Sequence, residues 1–401
     1  MRTVWTFHSA GKIVFGPGCV RQLGELCGEQ GLTRLLVVTD APLVSASVLE
    51  EVRHPLERCG VELLVFADGE PEPSLALGDR CAEFARSFRP QGLLGLGGGS
   101  NMDLAKITAT ILTHGGSARD YIGDSVIPGP VMPLICVPTT AGTGSEVTAS
   151  SVLTDQTSHM KVGVLSNHLR PALALVDPNL TFSCPSHVTA DSGIDALSHA
   201  IEAFTAIDNE SFAVPEGEKT VYQGRHPLGD CLAERAIELI GQHLVHAVDQ
   251  PDNLPAREGM ALAAMLAGLA FSNVGVALVH AMEYPVGGAV HCSHGRGNGL
   301  LLPYVMQFNL PYRHSCMARI AQLLGVETVD MPESVAAQAA IVAVVRLRDR
   351  IGIPGRLSEL GVQRGQLPDF ADKASCIHRI LRVNPRPVTR DDILAIYQEA
   401  F

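Results

Sequence analysis

"GLLGLGGGSNMDLAK", Gly92 to Lys106, joins a short apolar run to a helix-forming one across Gly97, Gly98, Gly99 and Ser100. Consecutive glycines let a backbone approach a pyrophosphate, and the first turn of the following helix offers free N–H groups to its charge. The pattern is not the GxGxxG dinucleotide fingerprint, and a plain strand-to-helix turn looks the same. Its neighbours decide the reading. "RLLVVTD" (Arg34–Asp40), "VELLVFA" (Val61–Ala67) and "PLICVPTT" (Pro133–Thr140) are further apolar runs ending in turn residues, with helix-like stretches such as "DRCAEFARSF" between them. Continuous apolar strands alternating with helices predict βαβ units whose parallel sheet is covered on both faces.

Ligands of an open parallel sheet gather at the carboxyl ends of its strands. Three motifs fall there: Gly97–Ser100, the "PTTAGTGSEVT" segment (Pro138–Thr148), and Asp40 at the end of "VVTD". A carboxylate at Asp40 can accept from a ribose diol, although alone it reads equally as a cap or turn residue. Together the three predict a nucleotide site.

After "ALALVDPNL" (Ala172–Leu180) long Ala- and Leu-rich periodic segments take over, among them "SGIDALSHAIEAFTA", "LGDCLAERAIELIGQHLVHAV", "PAREGMALAAMLAGLAFSNVG" and "ESVAAQAAIVAVVRLRDRIG". These are helices by length and period. The expected organisation is an α/β dinucleotide-binding domain over residues 1–182 and an all-α domain over residues 183–401. One polar stretch, Asp208–Asp230, interrupts the helices and reads as a long loop or lid.

The chain has 401 residues and a net charge of −12, with no Lys/Arg cluster able to track a phosphate backbone, which argues against a nucleic-acid partner. No segment reaches ~18 uninterrupted apolar residues, so no membrane span is expected, and the N-terminal "MRTVWTFHSAGKIVFGPG" lacks an apolar run long enough for a signal peptide. Ten cysteines are scattered singly without a CxxC, as in a reduced, cytoplasmic protein.

In "SGIDALSHAIEAF", Asp195 and His199 are four apart on a helix, so they project from one face and can supply two ligands to one ion. An ordinary helical ion pair has the same spacing. Their neighbours Ile194, Ala196, Leu197 and Ala200 are apolar, and a buried carboxylate and imidazole without a cation would be costly. Further ligands are available in "HAMEYPVGGAVHCSHG", where His280, His291 and His294 are all candidates and spacing alone does not choose.

The motifs "GGGSNMDLAK", "PTTAGTGSEVT", "GIDALSHAIE" and "HAMEYPVGG…HCSHGRGNGLLLPYV" resemble, in order and approximate spacing, those of the iron-containing (group III) alcohol dehydrogenase family, over nearly the whole chain. The resemblance implies the dehydroquinate synthase-like fold, with metal and substrate between the two domains. It implies Asp195, His199, His280 and His294 as ligands of one divalent ion, Fe²⁺ in preference to Zn²⁺, with His291 outside the set. It assigns NAD(H) to Asp40, Gly97, Gly98, Gly99, Ser100, Asp103, Thr139, Thr140, Ser145 and Lys161. The implied activity is metal-dependent hydride transfer between an alcohol and nicotinamide, and a homodimer is common in the family.

One departure stands out. Many family members carry a histidine, thought to relay protons, four residues after the third ligand, where this chain has Tyr284. Tyr can hydrogen-bond a substrate oxygen, but a pKa near ~10 makes it a poor neutral-pH base. A similar "YP" occurs in the hydroxyacid–oxoacid transhydrogenase branch, and "VYQGRHPLGD" (Val221–Asp230) resembles that branch's insertion, in which Arg225 or His226 can meet a substrate carboxylate. That branch, acting on a 4-hydroxybutyrate-like substrate with captive NAD, is the alternative activity. Lyase chemistry of the dehydroquinate synthase kind and a non-catalytic assembly role are the remaining alternatives; the Asp195–His199 motif and the completeness of the ligand set speak against them.

Overall fold

The structure is a computed structural model describing residues 4–158 and 160–401. Its contacts divide the chain into two units: His8–Cys184 with Lys219–Val221, and the remainder, which comprises the N-terminal residues through Phe7, Pro185–Glu218 and Tyr222–Phe401.

The first unit is built on six parallel strands: β1 (Lys12–Phe15), β2 (Arg34–Val38), β3 (Glu62–Phe66), β4 (Gly92–Gly97), β6 (Leu134–Pro138) and β9 (Leu173–Val176). Their spatial order is β1-β9-β6-β4-β2-β3. Along β2 the pleat sends Leu35 and Val37 into one hydrophobic cluster with Leu23, Leu49 and Leu56, and Leu36 and Val38 into another with Leu104, Ile107 and Leu134. Both faces are therefore buried, which is why the strand sequences are continuously apolar. The chain runs from β2 outward to β3 and then returns to β4 on the other side of β2. The order thus reverses between β2 and β4, and such a switch point leaves a crevice at the strands' carboxyl ends.

A smaller sheet was not foreseen from the sequence. β5 (Gly123–Asp124), β7 (Ser150–Asp155) and β8 (Met160–Leu165) form it in the order β5-β8-β7, with β7 and β8 an antiparallel hairpin.

Helices named here are α1 (Gly99–His114) after β4 and, in the second unit, α2 (Ser186–Thr205), α3 (Pro227–Asp249), α4 (Leu254–Val274), α5 (Leu278–Val290), α6 (His294–Asn309) and α7 (Arg390–Ala400). Among the described residues α4 alone has the length and apolarity to cross a membrane, but 72% of its most apolar window is buried inside the protein. It is a core helix: Ala263, Ala267 and Ala270 are fully buried along it.

The Asp208–Asp230 stretch is held rather than loose. Gln223 and Gly224 donate backbone N–H groups to Asn273 and Val274, and Arg225 and Ile207 are joined through the backbone. Only a short 3-10 turn at Asn209–Ser211 interrupts it before α3 begins at Pro227.

Candidate metal centre and nucleotide site

Three helices of the second unit bring the acidic and imidazole side chains together. Asp195 and His199 lie one turn apart on α2, with His199 Nδ1 3.9 Å from Asp195 Oδ2. His280 sits in the first turn of α5, its Nε2 3.9 Å from Asp195 Oδ1. His294 opens α6, and candidate ligand atoms of Asp195, His280 and His294 all lie within 4.8 Å of one another. The His199 ring stacks between Phe271 of α4 and His280, at centroid distances of 4.1 and 4.7 Å. His291 closes α5 in a left-handed conformation (φ 53°) and is not in that cluster.

What places these groups is a layer of buried polar partners that sequence reading missed. Glu202, one turn beyond His199 on α2, accepts from His280 Nδ1 at 2.5 Å. It also accepts from the backbone N–H groups of Ala277 (2.9 Å) and Val279 (2.7 Å), so one carboxylate caps α5 and orients its histidine. Glu283, fully buried, holds His294 Nδ1 in a short hydrogen bond. Asn298, one turn past His294, donates to Asp195 Oδ1 at 2.8 Å and lies 3.1 Å from His294 Nε2. With Nδ1 occupied by a carboxylate, His280 and His294 each keep a proton there and present the Nε2 lone pair.

Burial works against the charge of Asp195, yet His199, His294 and His280 outweigh it and hold the carboxyl down at about 2. His280 Nε2 is buried without a hydrogen-bond partner. An orphaned ring nitrogen facing an ionised carboxylate among further imidazoles fits a divalent transition metal, for which a mixed N/O donor set suits Fe²⁺ or Zn²⁺.

Tyr284 is buried beside the cluster, its ring centroid 6.0 Å from that of His294. Arg225 and His226 are occupied elsewhere. Arg225 pairs with Asp230 (2.8 Å) and Asp208 (3.5 Å) and lies over the Phe204 ring, while His226 caps α3 and stacks under Trp5 at 4.5 Å. They line a cavity of about 520 Å³ with Trp5, Glu210 and Asp230, and none of the four candidate metal ligands lines it.

The first unit assembles the nucleotide motifs on adjacent strands. Gly97 ends β4 at φ 142°, a conformation open to glycine, and a Cβ there would lie 2.3 Å from the Asn101 amide. Gly98 caps α1 without any side-chain hydrogen bond, leaving the N–H groups of that first turn to an outside acceptor. Asp40 follows β2, caps the short helix Ala41–Ser45 through Leu43 N, and accepts from Asn101 Nδ2 at 2.8 Å. Both readings of Asp40 are thus compatible, since a carboxylate has acceptor capacity beyond these two bonds.

Thr139 follows β6 and donates its N–H to Gly97 O, and Thr140 faces Gly98. Ser100 Oγ accepts from Glu72 N, and Lys161 is paired with Glu72 at 2.8 Å. Asp103 and Ser145 meet each other: Ser145 Oγ donates to Asp103 Oδ1 at 2.6 Å, and Val152 N donates to Asp103 Oδ2.

Comparisons with known proteins bear on this geometry. Residues 10–178 match the family described as "Iron-containing alcohol dehydrogenase", and residues 218–401 match "Fe-containing alcohol dehydrogenase family, C-terminal". The chain is 38% identical to long-chain-alcohol dehydrogenase 1 of Geobacillus thermodenitrificans, over 98% of this chain and 97% of that protein. It is 35% identical to the NAD-dependent methanol dehydrogenase of Bacillus methanolicus, over 96% and 97% respectively. A crystal structure of 1,3-propanediol oxidoreductase superimposes with a TM-score of 0.93 at 34% identity, covering 99% of this chain and 100% of that one.

Proposed function

The chain belongs to the iron-containing alcohol dehydrogenase family, and on that premise we propose how its residues divide the work of an NAD(H)- and metal-dependent alcohol dehydrogenase or aldehyde reductase. The observation that carries the proposal is the convergence of Asp195, His280 and His294 with a buried, unpartnered His280 Nε2. Asp195, His199, His280 and His294 hold one divalent ion, Fe²⁺ in preference to Zn²⁺. When bound, such an ion supplies Lewis acidity that makes an alcohol proton easier to remove and, in reverse, polarises a carbonyl.

The chain's own groups do the rest. Glu202 and Glu283 fix the tautomer and aim of two imidazoles, and Asn298 keeps one oxygen of Asp195 turned toward itself. The Tyr284 hydroxyl takes the place of a proton-relaying histidine as a hydrogen-bond partner for the substrate oxygen. In the first unit the α1 N-terminus and Gly97–Ser100 take the pyrophosphate, Asp40 the adenosine ribose, Thr139, Thr140 and Ser145 flank the nucleotide, and Lys161 the nicotinamide ribose. Asp103 acts through Ser145 rather than on the cofactor, a reading favoured by its two internal hydrogen bonds.

Residues 1–182 then serve as the dinucleotide domain and residues 183–401 as the metal and substrate domain. The substrate is a small alcohol, aldehyde or hydroxyacid. A cytoplasmic homodimer completes the proposal, the dimer supported by the family likeness and the reducing compartment by ten cysteines that are all free thiols. Arg225 stays a candidate for a substrate carboxylate only if Asp208 and Asp230 release it.

The test uses Fe²⁺-loaded protein with a panel of primary alcohols and 4-hydroxybutyrate. Reduced nicotinamide accumulating with added NAD establishes the dehydrogenase. Product formed only when 2-oxoglutarate is supplied, with no added NAD, would instead establish the transhydrogenase, and no turnover in either format would remove both.

A further inference from the structure

Lys106, eight residues into α1, is completely buried. Its ammonium is enclosed by five oxygens from one segment: Ser145 O (2.7 Å), Ser145 Oγ (2.8 Å), Ser150 O (2.8 Å), Thr148 Oγ1 (3.1 Å) and Thr148 O (3.2 Å). An ammonium has three protons, so five acceptors at these distances make a cage of oxygens around a point charge rather than a set of directed bonds. Burying a lone charge is expensive, and burial does lower the Lys106 pKa. Asp103, one turn back on α1 and 3.8 Å away, opposes that shift and supplies the balancing charge.

The caged segment is the continuation of the second nucleotide loop. Ser145 N donates to Thr143 Oγ1, and Thr143 packs on Gly99 so closely that a Cβ there would lie 2.7 Å from its Cγ2. Helix α1 therefore does two things at once: its N-terminus forms one wall of the pyrophosphate cradle, and Lys106 holds the other wall in place from below. Three carbonyl oxygens pointing inward on one another would repel without a cation between them.

We propose that Lys106 is a positioning residue of the nucleotide site, a tethered monovalent cation whose oxygen cage sets the conformation of the Thr139–Thr148 loop and so governs cofactor affinity. The proposal rests on the nucleotide-site reading above. It carries a consequence that ordinary core packing does not: once the side chain is cut back, the cage accepts a free cation of ammonium size. Potassium and ammonium ions are close in size; sodium and lithium are too small for oxygens spaced around an ammonium, and tetramethylammonium is too large.

The experiment measures NADH binding to the full-length, metal-loaded protein by the fluorescence of the reduced nicotinamide. Lys106→Ala in sodium buffer binds NADH roughly tenfold or more weakly, because the loop must now be ordered at binding. Added potassium or ammonium restores affinity, lithium and tetramethylammonium do not, and the wild type responds to none of them. In turnover the loss falls on KM for NAD rather than on KM for the alcohol. If Lys106→Ala does not fold, Lys106→Met keeps the stem's volume without the charge and shows the same loss, now beyond rescue.

Wild-type affinity in either variant overturns the proposal, and so does a loss in folded Lys106→Ala that no cation reverses. Gly99→Val, which drives a side chain into Thr143, separates the two failures. If it weakens NADH binding while Lys106→Ala does not, the cage alone is wrong. If it leaves NADH binding intact, the nucleotide-site reading fails and takes the cage with it.

Discussion

Glu283 has no solvent exposure, and its carboxylate accepts from Nδ1 of His294. A buried carboxylate on Nδ1 is what a metal-ligating histidine needs: it fixes the tautomer and raises the basicity of Nε2. Glu202 does the same for His280 but also caps α5, so its loss would mix metal binding with helix stability. Glu283 sits within α5 rather than at its start, so it is the residue to test. Glu283→Ala should weaken divalent-metal binding by about 10- to 100-fold, with Glu283→Gln in between, as measured by competition between the protein and a chromogenic chelator for Co²⁺. The cobalt absorption bands should shift as well, since a released His294 changes the ligand field. Unchanged affinity in Glu283→Ala would mean that His294 is oriented by something else or is not a ligand. Asp195 with His199 was legible in sequence because a helix puts i and i+4 on one face. The partners of His280 and Asp195 were not, since Glu202 and Asn298 stand 78 and 103 residues away from them and meet only through packing.

Among elements, the arrangement of α2, α5 and α6 depends on three glycines at alternate positions. A Cβ at Gly295 would lie 1.9 Å from the Asp191 carbonyl oxygen, and one at Gly299 would lie 2.7 Å from Ile194, both on α2. A Cβ at Gly297 would lie 2.7 Å from Glu283 on α5. The first two turns of α6 are thus pressed between its neighbours, which is how His294 reaches Asp195. Gly295→Ala should force α6 off α2, costing ~1–3 kcal/mol by denaturant unfolding and lowering metal content in the purified protein. Gly365→Ala, where a Cβ meets nothing within 4 Å, should change stability by no more than about 0.5 kcal/mol and leave metal content alone. Equal effects of the two would show that close helix approach is not what builds the centre. The "HGRGNGLLLP" run displayed these glycines openly, but a small residue signals close approach without naming the neighbour. The same limit applies to strands. Apolar runs announced β2, β3, β4 and β6, whereas the pairing of β1 with β9 depends on contacts far apart in sequence, and the β7–β8 hairpin, though local, has polar residues among its apolar ones and no continuous apolar run to mark it.

On the scale of the whole molecule, the two proposed ligand sets are segregated. Asp195, His199, His280, His294 and their carboxylate holders all belong to the helical unit, and Asp40, Gly97–Ser100, Lys106 and the Thr139–Thr148 loop all belong to the α/β unit. Each unit has a core of its own, so a ligand bound wholly within one should stabilise that one first. At a metal concentration about 100 times Kd the linkage is worth ~2.7 kcal/mol, enough to alter local opening roughly 100-fold. Removing the metal with a chelator should therefore speed amide hydrogen exchange in α2, α5 and α6 while leaving β2, β4 and β6 unchanged. Adding NAD to the metal-free protein should do the reverse, slowing exchange over Gly97–Asp103 and the loop after β6. Ser145–Ser150, the end of that loop and the residues after it, should be slow already without NAD because Lys106 holds them, so the change after β6 should fall on Thr139–Gly144. Chelation that deprotects the strand ends as strongly as the three helices would mean that the metal draws ligands or stabilising contacts from both units, and the assignment of the centre to the helical unit alone would have to be abandoned.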